Sequence, residues 1–227
     1  MTKYGLCFSL LFLGFGWVCE GQIGAVIGGN ENYKISAKKK KHTNFSTKQL
    51  AFSITRNANS DTEKASEIFK WITENISYDN ELMRSEKLQK QFYTSEENVI
   101  KKVLERKMAL CGGFAFLYKQ LCADVGISAE VIHGFTKKYS GKTQKSKTPE
   151  HTWNAVKLNG KWQLLDITWA ISHGTAKNPD DFWYLVKPSE FILSHYPENK
   201  KWTLLKNPVS FSEFQKLPQN KKTSTLL

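Results

Sequence analysis

Cysteine is scarce: there are four in 227 residues, and two of them, Cys7 and Cys19, lie in an apolar N-terminal stretch. That excludes a disulfide-stapled scaffold, which needs several spaced pairs in a short chain. Arginine is scarcer still, at three against 30 lysines, although the net charge is +12. Nucleic-acid readers lean on arginine for bidentate contacts, so no nucleic-acid partner is expected. The charge reads instead as a solvated lysine surface, with attraction to anionic surfaces or acidic substrates as its unspecific consequence. No apolar run is long enough to span a bilayer comfortably, which takes about 20 residues. The longest, Gly5 to Val18, has 14 residues; Lys3 precedes it and Cys19-Glu20-Gly21 follows. This is the layout of a secretory signal peptide cleaved near Gly21, which predicts an exported protein. Trp17 and Val18 are not the small residues that lipidation at Cys19 prefers. There is no internal repeat, glycine-rich phosphate loop or metal-ligand spacing, so no metal and no cofactor are expected. His42, His133, His173 and His195 are isolated and read as ordinary surface or core residues.

What is present divides into four stretches: a signal peptide over 1–21, a flexible lysine-rich lead-in over 22–45, one domain over 46–218 and a disordered tail over 219–227. Ser60 to Glu63 spells a capping box that opens a helix with Ala65, Ile68, Phe69, Ile72 and Ile76 inward, ending near Tyr78-Asp79. Ser95-Glu96-Glu97 starts another, with Val99, Val103 and Leu104 inward. A third helix carries Phe114, Ala115, Leu117, Tyr118, Leu121, Cys122 and Val125 on one stripe and stops at Gly126. Cys111 stands at its first turn. Eleven residues of helix separate Cys111 from Cys122 by roughly 16 Å, too far for a mutual disulfide. Cys122 reads as a buried apolar residue.

Cys111 is the residue that asks for chemistry. The first turn of a helix offers unpaired N–H groups and a positive dipole end, which favour a thiolate and lower the thiol pKa. The same N–H groups suit an oxyanion, and Gly112 and Gly113 give the backbone close access. Ser128 to Phe135 then forms a strand, Lys137 to Lys147 a polar loop, and EHTWNAVKLNGKWQLLDITW a hairpin about Asn159-Gly160. With that turn, opposed residue numbers sum to 319, so Asp166 faces Trp153 and His151 faces Thr168. His151 and Asp166 become same-face diagonal neighbours, roughly 7–8 Å apart at the backbone. A thiol, an imidazole and a carboxylate in that order make a nucleophile, its base and an orienting acid. Helices first and antiparallel strands after them predict an α+β fold. Oligomeric state is not written in the chain.

LCGGFAFLYKQLCADVGISAEVIHGF, EHTWNAVKLNGKW and LLDITW together resemble the transglutaminase-like superfamily, from about Thr47 to Pro218. The later WYLVKPSEFILSHYPENKKWTLL resembles its kyphoscoliosis-peptidase-type subgroup. The resemblance implies a papain-like core of N-terminal helices packed on an antiparallel sheet, with Cys111 as nucleophile, His151 as base and Asp166 as orienter. It also implies an upstream second oxyanion donor, for which Tyr78 is the candidate; a core tyrosine at a helix end fits that position equally. Trp153 and Trp169 are cleft-wall candidates, though ordinary core aromatics are the favoured reading. Calcium-site carboxylate clusters of the animal tissue transglutaminases are missing. The implied chemistry is thiolate attack on an amide of a protein or peptide, giving a thioester, with hydrolysis favoured over transfer to amines. A non-catalytic binding or adaptor domain is the reading from another class.

Overall fold

Hydroxyl and carboxylate caps punctuate the helices of the computed structural model, which describes residues 46–137, 148–175 and 178–218. The expected signal peptide, the lead-in, most of the lysine-rich loop and the tail lie outside these residues. Helix α1 is Thr47–Thr55. Ser60 caps α2 (Asp61–Asn75) by accepting from the Glu63 N–H. The Glu63 carboxylate bonds the N–H of Asn59 and not that of Ser60, so the expected capping box is half formed. The helix also stops before Ile76. Ala65, Ile68, Phe69 and Ile72 are buried on its inner face as the period predicts.

Strand β1 (Ser77–Tyr78) leads into α3 (Asn80–Arg84), which Asp79 caps, and α4 (Glu86–Phe92), which Ser85 caps. Ser95 caps α5 (Glu96–Arg106), whose Val99 and Val103 are buried. Each such cap is worth about 1 kcal/mol. At the end of α5, Lys107 takes a left-handed conformation (φ 56°) and turns the chain into β2 (Met108–Ala109). β2 pairs in parallel with β1. Arg106 secures this corner, donating from Nε at 3.1 Å and from Nη2 at 2.9 Å to the fully buried Asp79 carboxylate. The corner delivers the chain to α6 (Cys111–Asp124), the buried central helix.

The α+β expectation holds. Strands β3 (Ala129–Thr136), β4 (His151–Leu158), β5 (Lys161–Leu165) and β6 (His195–Pro197) form an antiparallel sheet in the order β5-β4-β3-β6. Asn159 (φ 51°) and Gly160 (φ 76°) make the two-residue turn, both in the left-handed region as a type I′ turn requires. Leu158 faces Lys161 and Asn154 faces Leu165, so the predicted register is correct along the ladder. It does not continue to Trp153–Asp166 or His151–Thr168. The chain leaves the sheet at Asp166, which caps α7 (Ile167–His173), a segment read from sequence as strand.

β4 is buried along almost its whole length. The Asn154 amide donates to Ala115 O on α6 at 3.0 Å, while Trp153 meets Phe191 at 5.8 Å between ring centres. Phe191 ends α8 (Pro188–Phe191), and α9 (Phe211–Lys216) closes a smaller cluster with Ile192 and Tyr196. Lys137, read as the start of a polar loop, is buried: its Nζ donates to Leu217 O at 2.5 Å.

Candidate active site

Leu110 provides no side-chain cap to α6, and the first helical bond runs from the Phe114 N–H to Leu110 O. The N–H groups of Cys111, Gly112 and Gly113 therefore head the helix beside the thiol. Neither Cys111 nor Cys122 is in a disulfide; Cys111 is half-buried and Cys122 buried. Burial pushes the Cys122 thiol up to about 12, which leaves it inert at neutral pH.

The two glycines also have a packing role beside the access expected of them. A Cβ on Gly113 would sit 2.9 Å from Val103 and 3.0 Å from Ala109, so its bareness lets α6 press against α5 and β2. Gly112 is buried too, with a Cβ there placed 3.3 Å from the Tyr93 ring. Both glycines serve close packing around the helix start.

His151, the first residue of β4, reaches Asp166 through Nε2, 2.5 Å from Oδ2. Cys111 also interacts with this ring closely enough to raise its pKa. Asp166 gets there as a helix cap: its Oδ1 accepts the Trp169 N–H at 2.9 Å, which turns Oδ2 back toward β4. Burial alone would push the His151 pKa down, but the Asp166 charge and hydrogen bond, with Cys111, outweigh it and raise it to about 10. Burial would lift the Asp166 carboxyl; its bonds to His151 and His195 hold it well below the ordinary carboxylate range. The structure therefore brings Cys111, His151 and Asp166 together and favours an imidazolium between two groups able to carry negative charge.

His195 overturns the reading of an isolated histidine. Its Nε2 lies 3.0 Å from the same Asp166 Oδ2 that His151 uses. Its Nδ1 lies 2.8 Å from Ser194 Oγ. Its pKa falls to about 4, because burial outweighs the Asp166 carboxylate. No local periodicity marks it; the only signal is its place in the HYP of the segment that resembles the subgroup.

Ligand atoms of His151, Asp166 and His195 all lie within 4.8 Å of one another. As they stand, the three are joined by two hydrogen bonds that share Asp166 Oδ2.

Trp153 is buried and its ring centre lies 6.0 Å from that of His151, so it belongs to the core beneath the site. Trp169 is only partly buried and stands 6.1 Å from His151. Tyr78 is half-buried and pairs with Ala109, two residues before Cys111, which puts its backbone beside the entry to α6. A thiol at a helix N-terminus, an imidazolium and a buried carboxylate can together attack a carbonyl and protonate a leaving group.

Residues 48–167 match the family model of the transglutaminase-like superfamily. Over 175 residues, 74% of this chain, it is 33% identical to the kyphoscoliosis peptidase of Mus musculus, of which the match covers 25%. It is 29% identical over 188 residues to hillarin of Drosophila melanogaster, covering 70% of this chain and 20% of that protein. A solved TGase structure superposes with a TM-score of 0.37 and 19% identity, over 57% of this chain and 35% of its own. The chain spans a quarter or less of the length of these curated relatives.

Proposed function

Because the chain belongs to the transglutaminase-like superfamily, we propose that it is an exported thiol hydrolase. It opens amide bonds of peptides or proteins through Cys111, His151 and Asp166. The observation that carries this reading is the His151 ring, bonded to buried Asp166 and raised in pKa by both Asp166 and Cys111. Export is supported by the layout of residues 1–21.

In the first half-reaction, Cys111 Sγ attacks the carbonyl carbon and the C=O electron pair moves onto oxygen. N–H groups of the first turn of α6, including that of Gly112, stabilise that oxyanion, with Tyr78 as the candidate second donor. His151 gives its proton to the leaving nitrogen, the C–N bond breaks and a thioester remains. A water then loses a proton to His151 and attacks the thioester. The C–S bond breaks, the acid leaves and the thiolate–imidazolium pair is restored. Asp166 holds the ring and its charge throughout without accepting the proton.

Water as acceptor is favoured by the peptidase name of two relatives. The test incubates wild type and Cys111→Ala with glutamine-containing peptides, with and without methylamine, and reads products by mass spectrometry. Deamidation or cleavage by wild type alone supports hydrolysis. Amine incorporation would move the assignment to acyl transfer. No product from folded wild type would move it to a binding domain.

A further inference from the structure

His195 is buried among four aromatic rings: Phe191 stacked at 4.1 Å, Trp169 at 4.4 Å, Trp153 at 5.1 Å and Trp183 at 5.5 Å. A phenylalanine would fill such a box at no polar cost, whereas a buried imidazole needs partners for two nitrogens. Both are partnered. A carboxylate only accepts, so Nε2 carries the proton toward Asp166 Oδ2. Nδ1 then accepts, and the Ser194 hydroxyl, 2.8 Å away, is its donor; the alternative acceptor, Phe191 O, is 3.3 Å from that hydroxyl.

The placement depends on distant parts of the chain. β6 lies two strands from β4, and its three-residue ladder sets His195 opposite Thr136 and Pro197 opposite Gly134. Gly134 also faces His151. A Cβ at Gly134 would lie 2.4 Å from the Trp153 ring and 2.3 Å from Tyr196 O. The missing side chain thus lets Trp153 lie across β3 toward His195 while β6 stays close.

We propose that His195 is a positioning residue of the thiol site: as the Nε2–H tautomer it clamps Asp166 Oδ2 from the side opposite the helix cap and so aims the carboxylate at His151. The inference rests on the thiol-enzyme reading above. Asp166 is held at Oδ1 by the Trp169 N–H and at Oδ2 by His195, which leaves it one orientation for its bond to His151. The titratable groups around His195 are Asp166, His151 and, on α7, His173. The lowered pKa agrees with a neutral ring that leaves the positive charge to His151.

Two measurements test this. Long-range 1H–15N spectra of wild type at neutral pH should show residue 195 neutral and protonated at Nε2. A charged ring or the Nδ1–H tautomer overturns the proposal, whether or not any variant folds. The second is the pH profile of Cys111 alkylation by iodoacetamide in wild type, His195→Phe and His195→Gln. His195→Phe should raise the apparent thiol pKa by about one unit, as expected for one lost bond to a charged group. His195→Gln, whose amide still donates, should restore most of the profile. A wild-type profile in folded His195→Phe overturns this proposal alone. An ordinary thiol profile already in wild type overturns the enzyme reading and this one with it.

Discussion

His151 Nε2 and His195 Nε2 converge on one oxygen, Asp166 Oδ2, at 2.5 and 3.0 Å. The two rings are 5.6 Å apart at their centres and titrate in opposite directions. One buried negative charge supports one imidazolium, and the ring that also meets Cys111 holds it.

Asp166→Asn should separate fold from chemistry. Asparagine caps a helix about as well as aspartate, so α7 should remain in place. The charge that opposes burial at His151 is lost, and its pKa should drop below its ordinary value. Alkylation of Cys111 near neutral pH should slow by about tenfold or more, in line with a shift of at least one unit. Circular dichroism and alkylation rates on the same sample check both halves; a fast thiol in Asp166→Asn would remove Asp166 from the machinery.

The two cysteines should separate cleanly. Iodoacetamide should label Cys111 in native protein and reach Cys122 only on unfolding, since burial holds that thiol at about 12. Cys122→Ala should retain activity and cost about 1 kcal/mol in urea unfolding, for a small apolar group lost from the core. Native labelling at Cys122 would contradict its burial.

Acid should destabilise the fold through His195. Burial lowers its pKa to about 4, so between that value and the ordinary 6.5 the unfolded chain binds a proton that the folded chain refuses. Stability therefore falls as pH falls through that window. His151, raised to about 10, is protonated in both states below 6.5 and adds no slope there; its contribution is lost only as pH rises toward 10. His133, also lowered by burial, slopes the same way as His195. Urea midpoints at pH near 6.5 and near 4.5 should differ in wild type and differ less in His195→Gln. An equal difference in both proteins would exclude His195 as a source of the acid limb.

Glycine substitutions should rank by what a methyl meets. Gly134→Ala would drive a Cβ to 2.3 Å from backbone and 2.4 Å from Trp153, and should cost about 3 kcal/mol or prevent folding. At Gly112 the nearest atom is a Tyr93 ring carbon 3.3 Å away, so crowding and the helix propensity gained, about 1 kcal/mol, should nearly cancel. Thermal unfolding of the two variants decides the order.

Much of this was legible because the signals are local. Ser60, Ser95 and Gly126 mark helix ends through bonds to residues three or four positions away. Asn159-Gly160 sets a register because a type I′ turn needs two positive φ values, and the register it predicts is correct to Leu165. One step further it fails. Asp166 followed by Ile167, Ala170 and Ile171 is itself a helix-start pattern, and that cap takes the chain out of the sheet. His151 and Asp166 still meet, through a cap that turns the carboxylate back and not through a diagonal pair.

The sequence by itself therefore determined helices α2, α5 and α6, the hairpin turn and the position of Cys111 at the first turn of α6, all of which depend on torsions and hydrogen bonds within a few residues. Only the tertiary structure decided which histidine completes the site and which ring carries the charge. Those outcomes depend on strand order, which brings residue 195 to residue 166. They also depend on burial, which sets the cost of charge against the partners within reach.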